Sequence, residues 1–226
     1  GGGVEKIAAL VIVPSYVIWA GAQIHAFGQV VSAISNIPVS VSIPAAALVV
    51  ILYTGSGGLL ADAVTDVVQG LVLIVGLFVI FFAVVAASGG VTATINNIDP
   101  ARLNLFGGEA TVLARIEAWA VPVFGSVLAQ ELISRTLAAR SELVAKRSVI
   151  AGAGVYFVVG ILPVIIALAG SSLVTDLDEP DQFLPKVASN LLHPALYVIF
   201  AGALISAILS TVDSALLAAA ALTSHN

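Results

Sequence analysis

The sequence predicts an all-α integral membrane protein with six transmembrane helices. Hydrophobic residues make up 60% of its 226 residues and charged residues only 9%, whereas roughly 25% of the residues in a soluble domain are charged. Apolar segments also recur at lengths near the roughly 20 residues that a helix needs to cross a bilayer. The net charge is -5, and no basic cluster indicates a nucleic-acid partner. The chain has no Cys, which excludes disulfides and thiolate metal sites.

Six predicted spans follow one another along the chain. They cover residues 7–32, 39–53, 59–87, 112–138, 149–168 and 195–222. The connection 88–111 is polar, and the connection 171–194 is acidic with a short helix expected over Phe183 to Leu192. We assign residues 1–226 to a single transmembrane domain. Because the chain contains no Met, we expect it to be an internal fragment of a longer protein.

The basic residues of the short loops predict the orientation of the spans, since Lys and Arg are enriched on the cytoplasmic side. The loop 139–148 carries three of them and is therefore predicted to be cytoplasmic. The loops 88–111 and 171–194 are then extracellular, and both ends of the chain are cytoplasmic. We expect a multi-pass protein of the cell (plasma) membrane.

The last span contains a polar stripe. Ser206, Ser210, Asp213 and Ser214 recur at i, i+4, i+7 and i+8 among Ala, Leu, Ile and Val, so they share one helix face. A carboxylate in a membrane helix normally faces the bundle interior or a water-filled path. Oxygen ligands without thiols suit a hard cation, so the stripe indicates an ion site. The alternative is that the hydroxyls bond their own helix and hold it to a neighbour.

Charged residues inside two other spans indicate an internal ion pair. Asp62, Asp66 and Gln69 lie on one face of the third span, at i, i+4 and i+7. Asp66 and Arg135, in the fourth span, are predicted at a similar depth, so the two can pair. Asp62, in the first turn, suits the headgroup level and the positive end of the helix dipole.

The fourth span carries Pro122 and Gly125, a combination that can break a helix. Broken helices in membranes line a cavity or are buried in protein, and in transporters they often mark the substrate site. An ordinary proline kink is the alternative.

Hydrolytic chemistry is not indicated. The three His residues are near span ends or in a loop, and none shares a short motif with a Ser: His25, His193 and His225. We therefore expect that the protein is not an enzyme.

Three stretches resemble the sodium:solute symporter family. Residues 53–69 read YTGSGGLLADAVTDVVQ, residues 135–141 read RTLAARS, and residues 206–226 read SAILSTVDSALLAAAALTSHN. Each is similar to a motif of that family, and the three occur in the family's order. The resemblance covers nearly the whole chain.

The resemblance implies a five-plus-five inverted-repeat fold (LeuT-like), of which this chain would be core helices three to eight. The remaining helices of the same transporter would be its missing partners, together with the lipid bilayer. The implied function is sodium-coupled symport of a small organic solute by alternating access, with Na+ as the coupling ion.

The resemblance also implies the site residues. The carbonyl of Ala207 and the hydroxyls of Ser210 and Thr211 match one half of the family's sodium site. Asp66, together with Ser210 and Ser214, matches a second ion position, beside which this chain has Asp213. That extra carboxylate would strengthen ion binding or carry a proton.

By the same resemblance, the broken fourth span would face substrate. The residues implied are Gln23 of the first span and Trp119, Phe124, Ser126 and Gln130 of the fourth. Ser134 departs from the family, which usually has Gln before the Arg. The loop 171–194 resembles the external lid.

Two other functions fit the same membrane module. One is the sensing part of a signalling protein, as in some relatives, and the other is an ion channel without coupling. A sodium gradient would accelerate solute uptake only in a symporter.

Overall fold

A computed structural model describes residues 2–35, 37–54, 59–104, 111–127, 129–174, 177 and 179–225. Within these ranges the chain forms nine α-helices and two short 3-10 helices, without a strand. The α-helices are α1 Gly2–Ser35, α2 Val39–Thr54, α3 Leu59–Ala87, α4 Val91–Asn96, α5 Val112–Val127, α6 Gln130–Leu137, α7 Glu142–Gly170, α8 Phe183–Leu191 and α9 Pro194–His225. The 3-10 helices are Pro100–Leu103 and Pro180–Gln182. The predicted all-α class is confirmed.

Four of these helices are long and apolar enough to cross a membrane. Their candidate spans are Gly3–Ser35, Asp66–Ala87, Glu142–Gly170 and Pro194–Ser224. They correspond to the first, third, fifth and last predicted spans. The second is the shorter apolar helix Val39–Leu52, so six spans remain a prediction.

The fourth predicted span is two helices, α5 and α6, and its interruption is not where Pro122 and Gly125 suggested. Helix α5 continues through both residues to Val127, because a proline removes one intrahelical hydrogen bond and the turns on either side can persist. Ala129, which directly precedes α6, has an extended backbone (φ -61°, ψ 115°). Ala129 then serves as the N-cap of α6.

Local capping explains two other boundaries. Ser141 Oγ accepts a hydrogen bond from Val144 N at 3.3 Å, so α7 begins at Glu142 and most of the predicted loop 139–148 is helical. This serine is a preferred N-cap residue, and Glu142 favours the positive helix end. After α3, Gly89 and Gly90 have φ of 91° and 102°, a conformation that glycine tolerates best.

Helix α9 is the centre of the bundle. It packs against α1, α2, α3, α6 and α8. One core cluster joins α3, α7, α8 and the first part of α9, and contains Ile80, Ile166, Val187 and Phe200. A second cluster joins α1, α2 and the later part of α9, and includes Val50 and Val212. The polar stripe of α9 therefore lies on a helix surrounded by neighbours.

Candidate ion site

Helices α3 and α9 are antiparallel neighbours, and this pairing sets the depth of the site. A Cβ added to Gly76 of α3 would lie 3.2 Å from Phe200 Cε2 of α9. Asp66, ten residues before Gly76 in α3, contacts Ser210, ten residues after Phe200 in α9. At 1.5 Å of rise per residue, the two contacts are about 15 Å apart along the helix pair.

Both carboxylate oxygens of Asp66 are engaged. Ser210 Oγ donates a hydrogen bond to Asp66 Oδ1. Arg135 Nη2 donates to Asp66 Oδ2 at 2.6 Å, forming an ion pair. The same nitrogen donates to Ser214 Oγ at 3.4 Å. One carboxylate thus joins α3, α6 and α9. The residues that make these contacts are among the site residues predicted from the sequence.

The site is graded from a buried interior to a partly exposed rim. Ser210 and Asp213 are 6% and 1% exposed, whereas the side chains of Asp66 and Arg135 are 24% and 43% exposed. Asp213 lies one turn beyond Ser210 on the buried face of α9, beside Ser214.

Two further oxygens adjoin Ser210 on α9. Thr211 Oγ1 donates to the carbonyl oxygen of Ala207 at 2.9 Å, so the hydroxyl and the carbonyl lie side by side. Positions 207, 210 and 211 share a helix face because they are three and four residues apart.

Gln69 is a polar residue of the site that the sequence-based selection did not include. Its Oε1 atom is buried and has no hydrogen-bond partner among the described residues. Gln69 is three residues after Asp66, and antiparallel packing therefore places it at the level of Ala207. The sequence signal was its position on the same helix face as Asp66. Asp62 shares that face, but its side chain lies outside the described residues.

The structure describes three of the five side chains that were predicted to face substrate, and these three lie on two different helices. Trp119 and Phe124 are each 68% exposed on α5, and Gln23 is half-buried in α1. Among the residues that the structure describes, α5 and α1 share no extended contact. The side chains of Ser126 and Gln130 lie outside the described residues.

A second buried polar contact joins the loop after α7 to α1. Gln182 Nε2 donates to Gln29 Oε1 at 2.9 Å, and the two residues are 5% and 3% exposed. They are 153 residues apart in the sequence, so no local pattern could have paired them. The contact holds the Pro180–Gln182 turn against the bundle.

Comparison with known proteins identifies the family. The model of the sodium:solute symporter family matches residues 4–226, nearly the whole chain. The chain is 29% identical to the sodium/pantothenate symporter of Haemophilus influenzae over 176 residues, which cover 76% of this chain and 36% of that protein.

Other relatives are similar at the same level. The high-affinity proline transporter of Bacillus subtilis is 29% identical over 177 residues, covering 75% of this chain and 37% of that protein. The high-affinity choline transporter 1 of Caenorhabditis elegans is 28% identical over 243 aligned residues, covering 98% of this chain and 42% of that protein. The chain therefore spans about two fifths of the length of these curated relatives. Their names describe transporters and not enzymes, in agreement with the sequence-based expectation. With a family match over residues 4–226, this chain belongs to the sodium:solute symporter family.

Proposed function

We propose that the protein carrying this chain is a sodium-coupled secondary transporter, which moves a small organic solute together with sodium by alternating access. The observation that carries the proposal is the cluster of oxygens on α9, joined to Asp66 of α3 by the Ser210 hydrogen bond. Family membership supports the same conclusion.

Sodium is held by the carbonyl of Ala207 and the hydroxyls of Ser210 and Thr211. Neutral oxygens suit a small hard cation, and the carboxylate of Asp66 next to Ser210 adds a favourable negative charge. The ion drives transport because it binds one conformation better than the other, which is the only way a ligand can shift a conformational equilibrium.

A second ion position is formed by Asp66, Asp213 and Ser214. These groups belong to the same helix pair, and Arg135 contacts two of them. Asp213, as an additional carboxylate, strengthens the attraction for cations on the buried side.

The fold that we propose is the five-plus-five inverted repeat, with this chain as core helices three to eight and with six spans. The interruption between α5 and α6 is the broken helix of that fold, and non-helical backbone at membrane depth is tolerated where it lines a cavity. Gln23, Trp119, Phe124, Ser126 and Gln130 face the solute once the other helices of the transporter are in place. The protein lies in the plasma membrane, with both ends of this segment in the cytoplasm.

The solute belongs to the class of small, water-soluble organic molecules. Pantothenate, proline and choline, named for the relatives, are the first probes to test. Uptake is measured in proteoliposomes that contain the full-length protein carrying this sequence, with an inward sodium gradient or with potassium in place of sodium. Uptake of one probe that requires sodium supports the proposal, whereas equal uptake in both ions contradicts sodium coupling.

The sodium assignment is tested with Ser210→Ala and Thr211→Ala. Loss of a ligand to a charged group costs about 1.5–3 kcal/mol, so we expect the half-saturating sodium concentration to rise about tenfold or more. Ser224→Ala is the matched control, because its hydroxyl bonds only the backbone of its own helix among the contacts described, at the exposed end of α9. Unchanged sodium dependence in both test variants would show that sodium binds elsewhere.

A further inference from the structure

We propose that a cleft between the connections that follow α3 and α7 binds a small organic monocarboxylate, and that Arg102 recognises its charge. The cleft has a volume of about 490 Å³, within the range of about 300–1,000 Å³ that is typical of small-molecule sites. None of its lining residues belongs to the candidate ion site, so the inference goes beyond the proposed function. The cleft is lined by Arg102, Ala167, Ser171, Leu177, Pro180 and Phe183.

The cleft lies at the end of the bundle opposite the Asp66–Arg135 ion pair. A Cβ added to Gly170, the last residue of α7, would lie 3.7 Å from Val84 Cγ2 of α3, so α7 ends beside the later part of α3. Val84 is 18 residues after Asp66 in the same helix, about 27 Å at 1.5 Å of rise per residue. In the orientation proposed above, the cleft opens to the extracellular solution.

The lining of the cleft combines one positive charge with apolar walls. Arg102 is the one charged residue among the six, and within the part of the chain that the structure describes its guanidinium makes no hydrogen bond or ion pair. A guanidinium presents parallel N–H donors that match the two oxygens of a carboxylate. Leu177, Pro180 and Phe183 provide apolar contacts for a short hydrocarbon body attached to that carboxylate.

Local hydrogen bonds position the two polar residues of the cleft. Asp99 Oδ1 accepts from the backbone N of Ala101 at 2.9 Å, which caps the 3-10 helix that carries Arg102. Ser171 Oγ donates to the carbonyl oxygen of Leu168 at 3.3 Å. Because a hydroxyl hydrogen can rotate to a better acceptor, Ser171 can donate instead to a carboxylate held by the arginine.

The acidic residues beside the cleft restrict its ligand to a single negative charge. Glu179 and Asp181 are exposed, and neither is a lining residue. Arg102 compensates one negative charge, whereas a second one would be repelled by these carboxylates. A monocarboxylate therefore fits better than phosphate or a dicarboxylate.

One wall of the cleft is connected to the bundle. Gln182 donates to Gln29 of α1, and the next residue, Phe183, lines the cleft. A carboxylate bound between Arg102 and this wall contacts both sides of the cleft. Its binding therefore favours the arrangement in which the Pro180–Gln182 turn is held against α1, because a ligand stabilises the state that it binds better.

The experiment measures backbone hydrogen exchange over residues 180–191 of the purified full-length protein carrying this sequence, in potassium buffer without sodium. Hexanoate is the probe, and hexylammonium, which has the same apolar chain with the opposite charge, and inorganic phosphate are the comparisons. We expect hexanoate to slow exchange with saturation in the millimolar range, as is usual for so small a ligand, and the other two ions to leave exchange unchanged. Equal protection by hexylammonium or by phosphate would overturn the inference.

Two variants test the cleft itself. Arg102→Gln should raise the half-saturating hexanoate concentration about twofold to fivefold, the usual effect of an exposed charge pair, and remove its dependence on added salt. Leu177→Asp places a negative charge on an exposed wall and should weaken binding at least as much. Arg140→Gln is the matched control, because it removes the same charge from the exposed turn after α6, and it should bind as the wild type does.

An unchanged half-saturating concentration in either folded variant would overturn the inference, and so would the absence of protection in the wild type. Because sodium is absent throughout, these outcomes leave the proposed sodium coupling standing. Failure of that coupling in the uptake assay would likewise leave the carboxylate site standing.

Discussion

The backbones of α1 and α2 approach each other closely at Gly28, where one added methyl group should be harmful. A Cβ at this position would lie 2.9 Å from Cα and 3.0 Å from N of Ile43, and closer still to its Cγ1. Because backbone atoms are involved, a change of rotamer cannot relieve the clash, and the helices must separate. Overpacking costs about 1–3 kcal/mol, whereas removing glycine from a helix interior returns about 0.5–1 kcal/mol. The net expectation for Gly28→Ala is a loss of about 1–2 kcal/mol in the free energy of unfolding.

Gly21→Ala is the matched control, since Gly21 is in the same helix and a Cβ added there would have no packing neighbour within 4 Å. It should gain about 0.5–1 kcal/mol. Thermal unfolding of the full-length protein in detergent measures both. We expect Gly28→Ala to lower Tm and Gly21→Ala to raise it, by about 1 °C per kcal/mol for a protein of the relatives' length. Equal Tm values for the two variants would refute the close approach of α1 and α2.

Three other substitutions test separate contacts by the same melting assay. Gln182→Leu leaves the amide oxygen of Gln29 buried without its donor, which should lower the free energy of unfolding by about 1–3 kcal/mol. The double variant Gln29→Leu/Gln182→Leu should recover most of that loss. A double variant that is no more stable than the single one would contradict the pairing. Ser141→Ala removes the N-cap of α7 and should cost about 1 kcal/mol, whereas an unchanged Tm would show that Glu142 alone starts the helix. Phe200→Ala should cost about 3–5 kcal/mol because the ring is almost fully buried, and a small loss would mean that α3 closes the cavity.

The long helices could be predicted from the sequence because apolar length alone specifies them. The predicted spans 59–87 and 195–222 agree with α3 and α9 to within three residues at each end. The break in the fourth span was harder to place. Pro122 and Gly125 are local signals, but a helix can accommodate both, and the chain instead becomes extended at Ala129, a residue with no such signal. Backbone breaks depend on packing that a local pattern does not contain.

The polar contacts divide in a similar way. Asp66 and Arg135 could be selected as a pair because charges are costly in an apolar helix and the predicted spans placed both at a similar depth, whereas Ser210 was linked to Asp66 by the family resemblance. The partner of Gln29 could not be selected, since Gln182 follows an acidic loop and its burial depends on how Pro180–Gln182 folds back onto α1. A charged residue in an apolar span can be recognised as a candidate internal contact from the sequence, because burying it is costly. The partner of a neutral amide can be recognised only in the folded structure.

A bound sodium ion should affect the Asp66–Arg135 ion pair and the Gln29–Gln182 hydrogen bond differently. Gln182 precedes α8 and its amide pairs with Gln29 of α1, whereas the candidate ion site joins α3, α6 and α9. A ligand shifts a conformational equilibrium only through a difference in its interaction with the two states. If sodium is the coupling ion, its charge acts on Asp66 and Arg135 directly, whereas the amide pair is neutral and forms a separate contact. Movement at Gln29 and Gln182 must then be transmitted through α9, which packs against both α1 and α3. Replacing the amide pair with leucines should therefore leave the affinity for sodium within about a factor of two of the wild type, because a coupled pair would change it by the 1–3 kcal/mol typical of linked sites, about 5- to 150-fold. Sodium binding to the double variant measures this directly, and a tenfold change would show that the amide pair is itself part of the ion-driven switch.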